Sequence, residues 1–159
     1  MKTNYYKYFI SLAFLLIFVF HLSAQTKYYI TAPRLFDGEV MHKDWALIVE
    51  QNKIVAVGPI QQINIPDGAV KINYPNATIM PGLIEGHSHL MLYPYNITDW
   101  DTQVLKEADA YRTVRATVHA KNTLLAGFTT GDLRTEGAGY ADVALKRAIN
   151  EGVVVGPRL

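Results

Sequence analysis

The sequence runs to 159 residues, half of them apolar, with 15 basic and 14 acidic side chains and a formal charge of +1. That length and composition suit one ordinary domain with a real core, and the balanced, interspersed charge gives no electrostatic footprint for nucleic acid or an anionic membrane surface. No cysteine is present, which excludes disulfides, thiolate metal sites and a cysteine nucleophile.

Taken in order, the chain opens with Lys2 and Lys7 in a tyrosine-rich start. Phe9 to Leu22 then form an apolar run broken only by Ser11 and His21, and Ser23, Ala24 and Gln25 follow. Those three parts match a secretory signal peptide over residues 1–24, cleaved after Ala24. The run is shorter than the roughly 18 to 20 apolar residues of a membrane span, so a secreted or periplasmic protein without stable membrane anchoring is expected. Cleavage removes two lysines and no acid, which takes the formal charge from +1 to −1.

Residues 26–80 read as a meander of short strands. Lys27 to Thr31 is β-prone, and Asp37-Gly38 marks a turn. Trp45 to Glu50 and Lys53 to Val57 predict a hairpin through Gln51-Asn52. After Gly58-Pro59 and the turn at Pro66-Asp67-Gly68, two further strands are expected at Ala69 to Asn73 and Ala77 to Met80.

The texture changes at Pro81-Gly82. Leu83 to Glu85 lead into His87 and His89, which are followed by a loop rich in aromatics. In an extended strand His87 and His89 point the same way and Ser88 the other. Two imidazoles then converge, and neutral imidazole is the commonest protein ligand for zinc. From about Asp101 to Ala126 the residues Val104, Ala108, Tyr111, Val118 and Leu125 recur at helical intervals, predicting one long amphipathic helix stopped by Gly127. Phe128 to Thr130 is β-prone, and a glycine-rich loop precedes a second helix from about Tyr140 to Glu151, with Leu145, Ala148 and Ile149 inward. Gly152 caps it, and Val153 to Val155 is expected to be a further strand. Strand, helix, strand, helix, strand predicts a parallel sheet covered by helices. Both a parallel barrel and an open doubly wound sheet place ligands at strand C-termini, where the histidines fall.

These residues carry a resemblance. The segment MPGLIEGHSHL, after a β-rich stretch containing KIVAVG, resembles the start of the amidohydrolase superfamily of metal-dependent hydrolases. The later GFTT, DL, TEGAGYAD, LKRAI and GPRL look like the branch of imidazolonepropionase-like proteins and secreted Xaa-Pro dipeptidases (prolidases). The resemblance implies an α/β fold: residues 25–80 as part of a small β-sandwich, and residues 81–159 as the first two to three βα units of a (β/α)8 TIM barrel. Such barrels take about 250 residues, so the barrel is incomplete, with an open edge where its fourth strand belongs.

The resemblance makes His87 and His89 two metal ligands, for one or two divalent ions, zinc first. The family's remaining ligands, and the aspartate that moves protons, come from later strands and have no counterpart here, so no catalytic residue is expected on this chain. The implied activity is hydrolysis of amide or peptide C–N bonds, prolidase-like, on a small-molecule or dipeptide substrate, with the 159-residue chain inactive alone. A noncatalytic truncated relative or binding protein is one alternative, and a nucleobase-type deaminase of the same superfamily another.

The sequence departs from the family at two places. Glu85-Gly86 stands where aspartate is common, and the loop after GFTT is one residue short, so that Asp132 is matched while Arg134 replaces a glycine. If that glycine takes a positive φ, arginine there strains the turn. His119 and His42 are read as structural or solvated, and Tyr93, Tyr95 and Trp100 as packing over a strand end or bordering a substrate pocket.

Overall fold

A computed structural model describes residues 26–134 and 138–159. The leader read over residues 1–24, and Thr135, Glu136 and Gly137 of the TEGAGYAD segment, lie outside them. The described residues divide into two compact units, one ending at Met80 and the other beginning at Pro81.

In the first unit β1 (Lys27–Thr31), β4 (Trp45–Glu50), β5 (Lys53–Pro59) and β6 (Val70–Asn73) form a four-stranded sheet in the order β5-β4-β1-β6. The expected hairpin is present, β4 pairing antiparallel with β5 across Gln51, which carries the positive φ of 56° that such a tight turn demands. A second sheet orders β3 (Met41–Lys43), β2 (Arg34–Phe36) and β7 (Thr78–Ile79) as β3-β2-β7. Tyr29, Ala46 and Ile48 are buried here, with Ala56, Ile60, Ile63 and Ala69 packed around them.

A simple meander is not what forms. β6 runs parallel to β1 and β7 parallel to β2, so the last two strands return to the start of the unit instead of extending a chain of hairpins. Period-two patterning marks a strand but carries no partner, which is why the expected meander is wrong here.

In the second unit β8 (Leu83–Ser88) pairs parallel with β9 (Phe128–Leu133). The crossover between them holds a five-residue π-helical turn, Thr102–Lys106, and the helix α1 (Asp109–Leu125), and α2 (Ala141–Asn150) follows β9. The Pro81-Gly82 corner needs its glycine, because a Cβ at Gly82 would run into the Thr129 side chain.

Three expectations fail here, each for a visible reason. The helix expected from Asp101 is broken. Glu107 is extended, at φ −79° and ψ 141°, and α1 begins only at Asp109, because Glu107 turns its carboxylate to Arg115, 2.8 Å away. The apolar stripe is also on the wrong face: Tyr111, Val118 and Leu125 are exposed, and the buried face is Arg112, Arg115, Ala116 and Ala120. Ala116 and Ala120 admit close packing against Leu90, Met91 and Leu145, and Arg115 reaches a carbonyl and a carboxylate that an apolar side chain could not satisfy.

Val153 to Val155 is not a strand either. The N–H groups of Val153 and Val154 bond back to the Ala148 carbonyl at 2.9 and 3.2 Å, closing the end of α2 over Gly152, whose φ is 74°. The sheet is extended instead at Arg158, which bridges parallel to Thr130. Among the described residues no helix is long and apolar enough to cross a membrane.

Candidate functional site

The site is built from β8 upward. His87 is the last residue but one of this strand and His89 the first beyond it. Both are exposed, while Ser88 between them is buried, so the alternation expected of an extended strand places the two rings on one side. Their Nε2 atoms lie 3.0 Å apart, and the ring centroids 4.9 Å. Glu85, two residues back, accepts the His87 backbone N–H at 3.0 Å, which steadies the strand end.

Ser88 anchors the pair from the opposite face. Its hydroxyl donates to the Asp132 carbonyl at 3.1 Å, and its own carbonyl accepts the Arg134 N–H at 3.1 Å. Gly131 lies directly beneath, where a Cβ would come within 3.3 Å of the Ser88 hydroxyl. Glu85, His87, Ser88 and His89 border an open depression of about 470 Å³, with Asn122 and Phe128 on its other wall.

Two imidazole nitrogens converging in this way fit a divalent ion. Bonds of about 2.0–2.1 Å at a tetrahedral angle put ligand atoms roughly 3.3 Å apart, close to the separation found. Among the described residues, however, no group of three or more histidine, aspartate or glutamate side chains could hold a metal.

No family model matches this sequence, and no curated protein sequence matches it. Solved structures do. A Xaa-Pro dipeptidase with methionine bound in its active site is 27% identical, with a TM-score of 0.70, over 84% of this chain and 32% of its own. An amidohydrolase is 28% identical at a TM-score of 0.69, over 84% of this chain and 30% of its own. Its structural neighbours are amidohydrolases and prolidases. A prolidase complexed with N-methylphosphonate-L-proline is 25% identical at a TM-score of 0.65, over 84% of this chain and 31% of its own. The chain thus spans about a third of the length of the structures it matches. It shares their mixed α/β arrangement, and its described residues form no closed barrel.

Of the other residues singled out from sequence, Tyr93 and Tyr95 lie with Leu92 and Pro94 around a second hollow, of about 360 Å³, which His89 also borders. Trp100 is not among its walls. His119 donates from Nδ1 to the Leu90 carbonyl at 2.9 Å and meets the Tyr93 ring edge-on at 5.1 Å. His42 belongs to the first unit, stacked 3.6 Å from the Trp45 ring and 2.7 Å from the Asp37 carboxylate. Asp37 also accepts the Glu39 and Val40 N–H groups at 2.8 Å each, and the Val40 N–H, then His42, hold its carboxyl far below the usual range.

The shortened loop carries no strain at Arg134. Among the described residues only Asp44, Gln51 and Tyr140 are non-glycines with positive φ, and Arg134 pairs with Asp132 at 3.0 Å.

Sequence reasoning missed a buried polar network under the loop that follows His89. Gln103, fully buried, accepts the Tyr93 N–H at 2.6 Å and donates to the carbonyls of Tyr93 and Thr98 at 3.1 and 2.6 Å. Arg115, 5% exposed, donates to the Met91 carbonyl at 2.8 Å and to Gln103 at 3.2 Å, pairs with Glu107, and lies 4.3 Å from the centre of the Tyr93 ring. Asp99 accepts the Thr102 N–H at 2.8 Å, the bond that most lowers its carboxyl. The only signal for the network in the sequence was polar residues at inward helical positions, which apolar periodicity reads past.

Proposed function

We propose that the chain is part of a metal-dependent hydrolase of C–N bonds, prolidase-like in substrate. The observation that carries this reading is the convergence of the His87 and His89 Nε2 atoms at the end of β8, in a chain related to amidohydrolases. His87 and His89 would hold a divalent ion, zinc first and one or two in number, through those nitrogens. When bound, such an ion polarises the scissile carbonyl and lowers the pKa of a coordinated water toward about 7. Both imidazoles bind neutral, which leaves the ion its Lewis acidity, and Ser88 on the opposite face keeps the strand from turning them apart. The hollow beside His89 and Tyr93 gives a dipeptide-sized substrate an apolar wall.

In this reading residues 81–159 supply the first βα units of a TIM barrel and residues 25–80 part of a β-sandwich, and residues 1–24 direct secretion. A catalytic site takes at least three protein ligands, so the 159-residue chain alone binds metal weakly and turns over no substrate. A noncatalytic relative is the second reading, favoured by the lack of a third ligand among the described residues.

Metal analysis of the purified chain, with His87→Ala and His89→Ala beside it, tests ligation, and zinc content unchanged in both variants would sink it. Xaa-Pro dipeptides and cyclic amides, assayed on a polypeptide carrying the whole barrel, test the substrate class; turnover of neither discards the prolidase assignment.

A further inference from the structure

Three side chains from the π-helical turn and α1 hold the backbone that follows His89. His119 donates to the Leu90 carbonyl at 2.9 Å, Arg115 to the Met91 carbonyl at 2.8 Å, and Gln103 bonds both the N–H and the carbonyl of Tyr93. A carbonyl only accepts, so the His119 proton resides on Nδ1. On its other side His89 is flanked by Ser88, whose hydroxyl and carbonyl are both tied to the segment Asp132 to Arg134. His89 itself is the first residue beyond β8.

We infer that His119, Arg115 and Gln103 are positioning residues for His89, setting its backbone so that its Nε2 meets that of His87. The inference rests on the metal reading of the histidine pair. It explains why the inward face of α1 carries an arginine and a histidine where an ordinary amphipathic helix would bury leucine. The turn through Leu90, Met91 and Leu92 places apolar side chains in the core but leaves polar backbone groups facing α1, and a buried carbonyl without a donor is costly. Arg115 is held in turn by Glu107, the residue that interrupts the expected helix. The break at Glu107 is thus part of the device.

Zinc titration of the full chain, followed through the imidazole nitrogen resonances of His87 and His89, tests it, with thermal unfolding recorded on every variant. His119→Phe keeps the ring and loses the donor, whereas His119→Asn keeps an N–H near the Nδ1 position. His119→Phe is expected to weaken zinc binding about tenfold, the size of effect seen when groups that orient a ligand are removed, and His119→Asn to stay within about twofold of the parent. Should His119→Phe not fold, Gln103→Glu, which keeps the acceptor for the Tyr93 N–H but loses both donors, carries the same expectation. Affinities undiminished in the folded variants, or an equal loss in Phe and Asn, overturn the inference while leaving the metal reading in place. A parent chain in which zinc perturbs neither imidazole overturns both.

Discussion

The two units of this chain reach order by different means. The first is held by strand ladders and a small apolar cluster, Tyr29, Ala46 and Ile48, and its polar groups sit in exposed turns such as Asp37 to His42. Among the described residues the second pairs only β8 with β9, extended by the bridge at Arg158, yet it buries Gln103, Arg112 and Arg115 almost completely. Backbone ladders satisfy polar groups within regular elements, and where a loop has no ladder, side chains must satisfy them instead. The histidine pair sits on the unit that uses the second method.

That contrast can be broken experimentally, and the largest effect is expected where the polar network is cut. Arg115→Met removes the partner of a Glu107 carboxylate that is itself mostly buried, and leaves the Met91 carbonyl without its donor. A loss of about 3–5 kcal/mol is expected in denaturant unfolding. Restoration by the double variant Arg115→Met with Glu107→Leu would show that most of the cost is the stranded carboxylate. Next comes Leu145→Ala, in the apolar part of the same unit, where a 2% exposed side chain is lost from between α1 and α2 and about 3 kcal/mol should go with it. If it costs more than Arg115→Met, the polar network is not what dominates this unit.

Gly82→Ala should cost about 2 kcal/mol, because the new methyl meets the Thr129 side chain, and combining it with Thr129→Ala should recover much of the loss. A milder change in the first unit, Ile48→Val, is expected to cost about 1 kcal/mol through lost burial alone.

The smallest effect concerns Asp37, and it is visible only as a pH dependence. Its carboxyl is depressed in the folded state, so its contribution is complete above the ordinary carboxylate range and drains away as pH falls toward the folded value. Asp37→Asn keeps an acceptor for the Glu39 and Val40 N–H groups but cannot titrate, so its unfolding midpoint should vary less than the parent's below about pH 4. Identical acid profiles would remove Asp37 from the account.

Much of this was legible in the residues themselves, and what was not has physical causes. β1 and the β4–β5 hairpin were readable because β-branched and aromatic runs and a two-residue turn are local signals. The histidine convergence was readable because a strand alternates faces whatever surrounds it. The parallel partners β6 and β7 were not, since pairing is decided by tertiary packing. The face of α1 was misread because hydrophobicity alone assigns Tyr111, Val118 and Leu125 inward, while here the neighbouring loop needed donors and close-packed alanines. Val153 to Val155 has the composition of a strand, but the Gly152 turn consumes the first two N–H groups.

The parallel pairing of β8 with β9 also bears on how the molecule is made. On a ribosome, β8 emerges first, and β9, its partner among the described residues, follows after the whole α1 crossover has been synthesised. Until then Leu83 and Ile84 stand in an unpaired strand ahead of the histidines, and closing so long a segment is slow compared with forming a hairpin. The second unit therefore spends its synthesis with a sticky edge uncovered, whereas the β4–β5 hairpin of the first can close as soon as Pro59 leaves the exit tunnel. Aggregation during expression should begin at β8, making the strand that carries the histidine pair the point where a nascent chain is most in need of a chaperone.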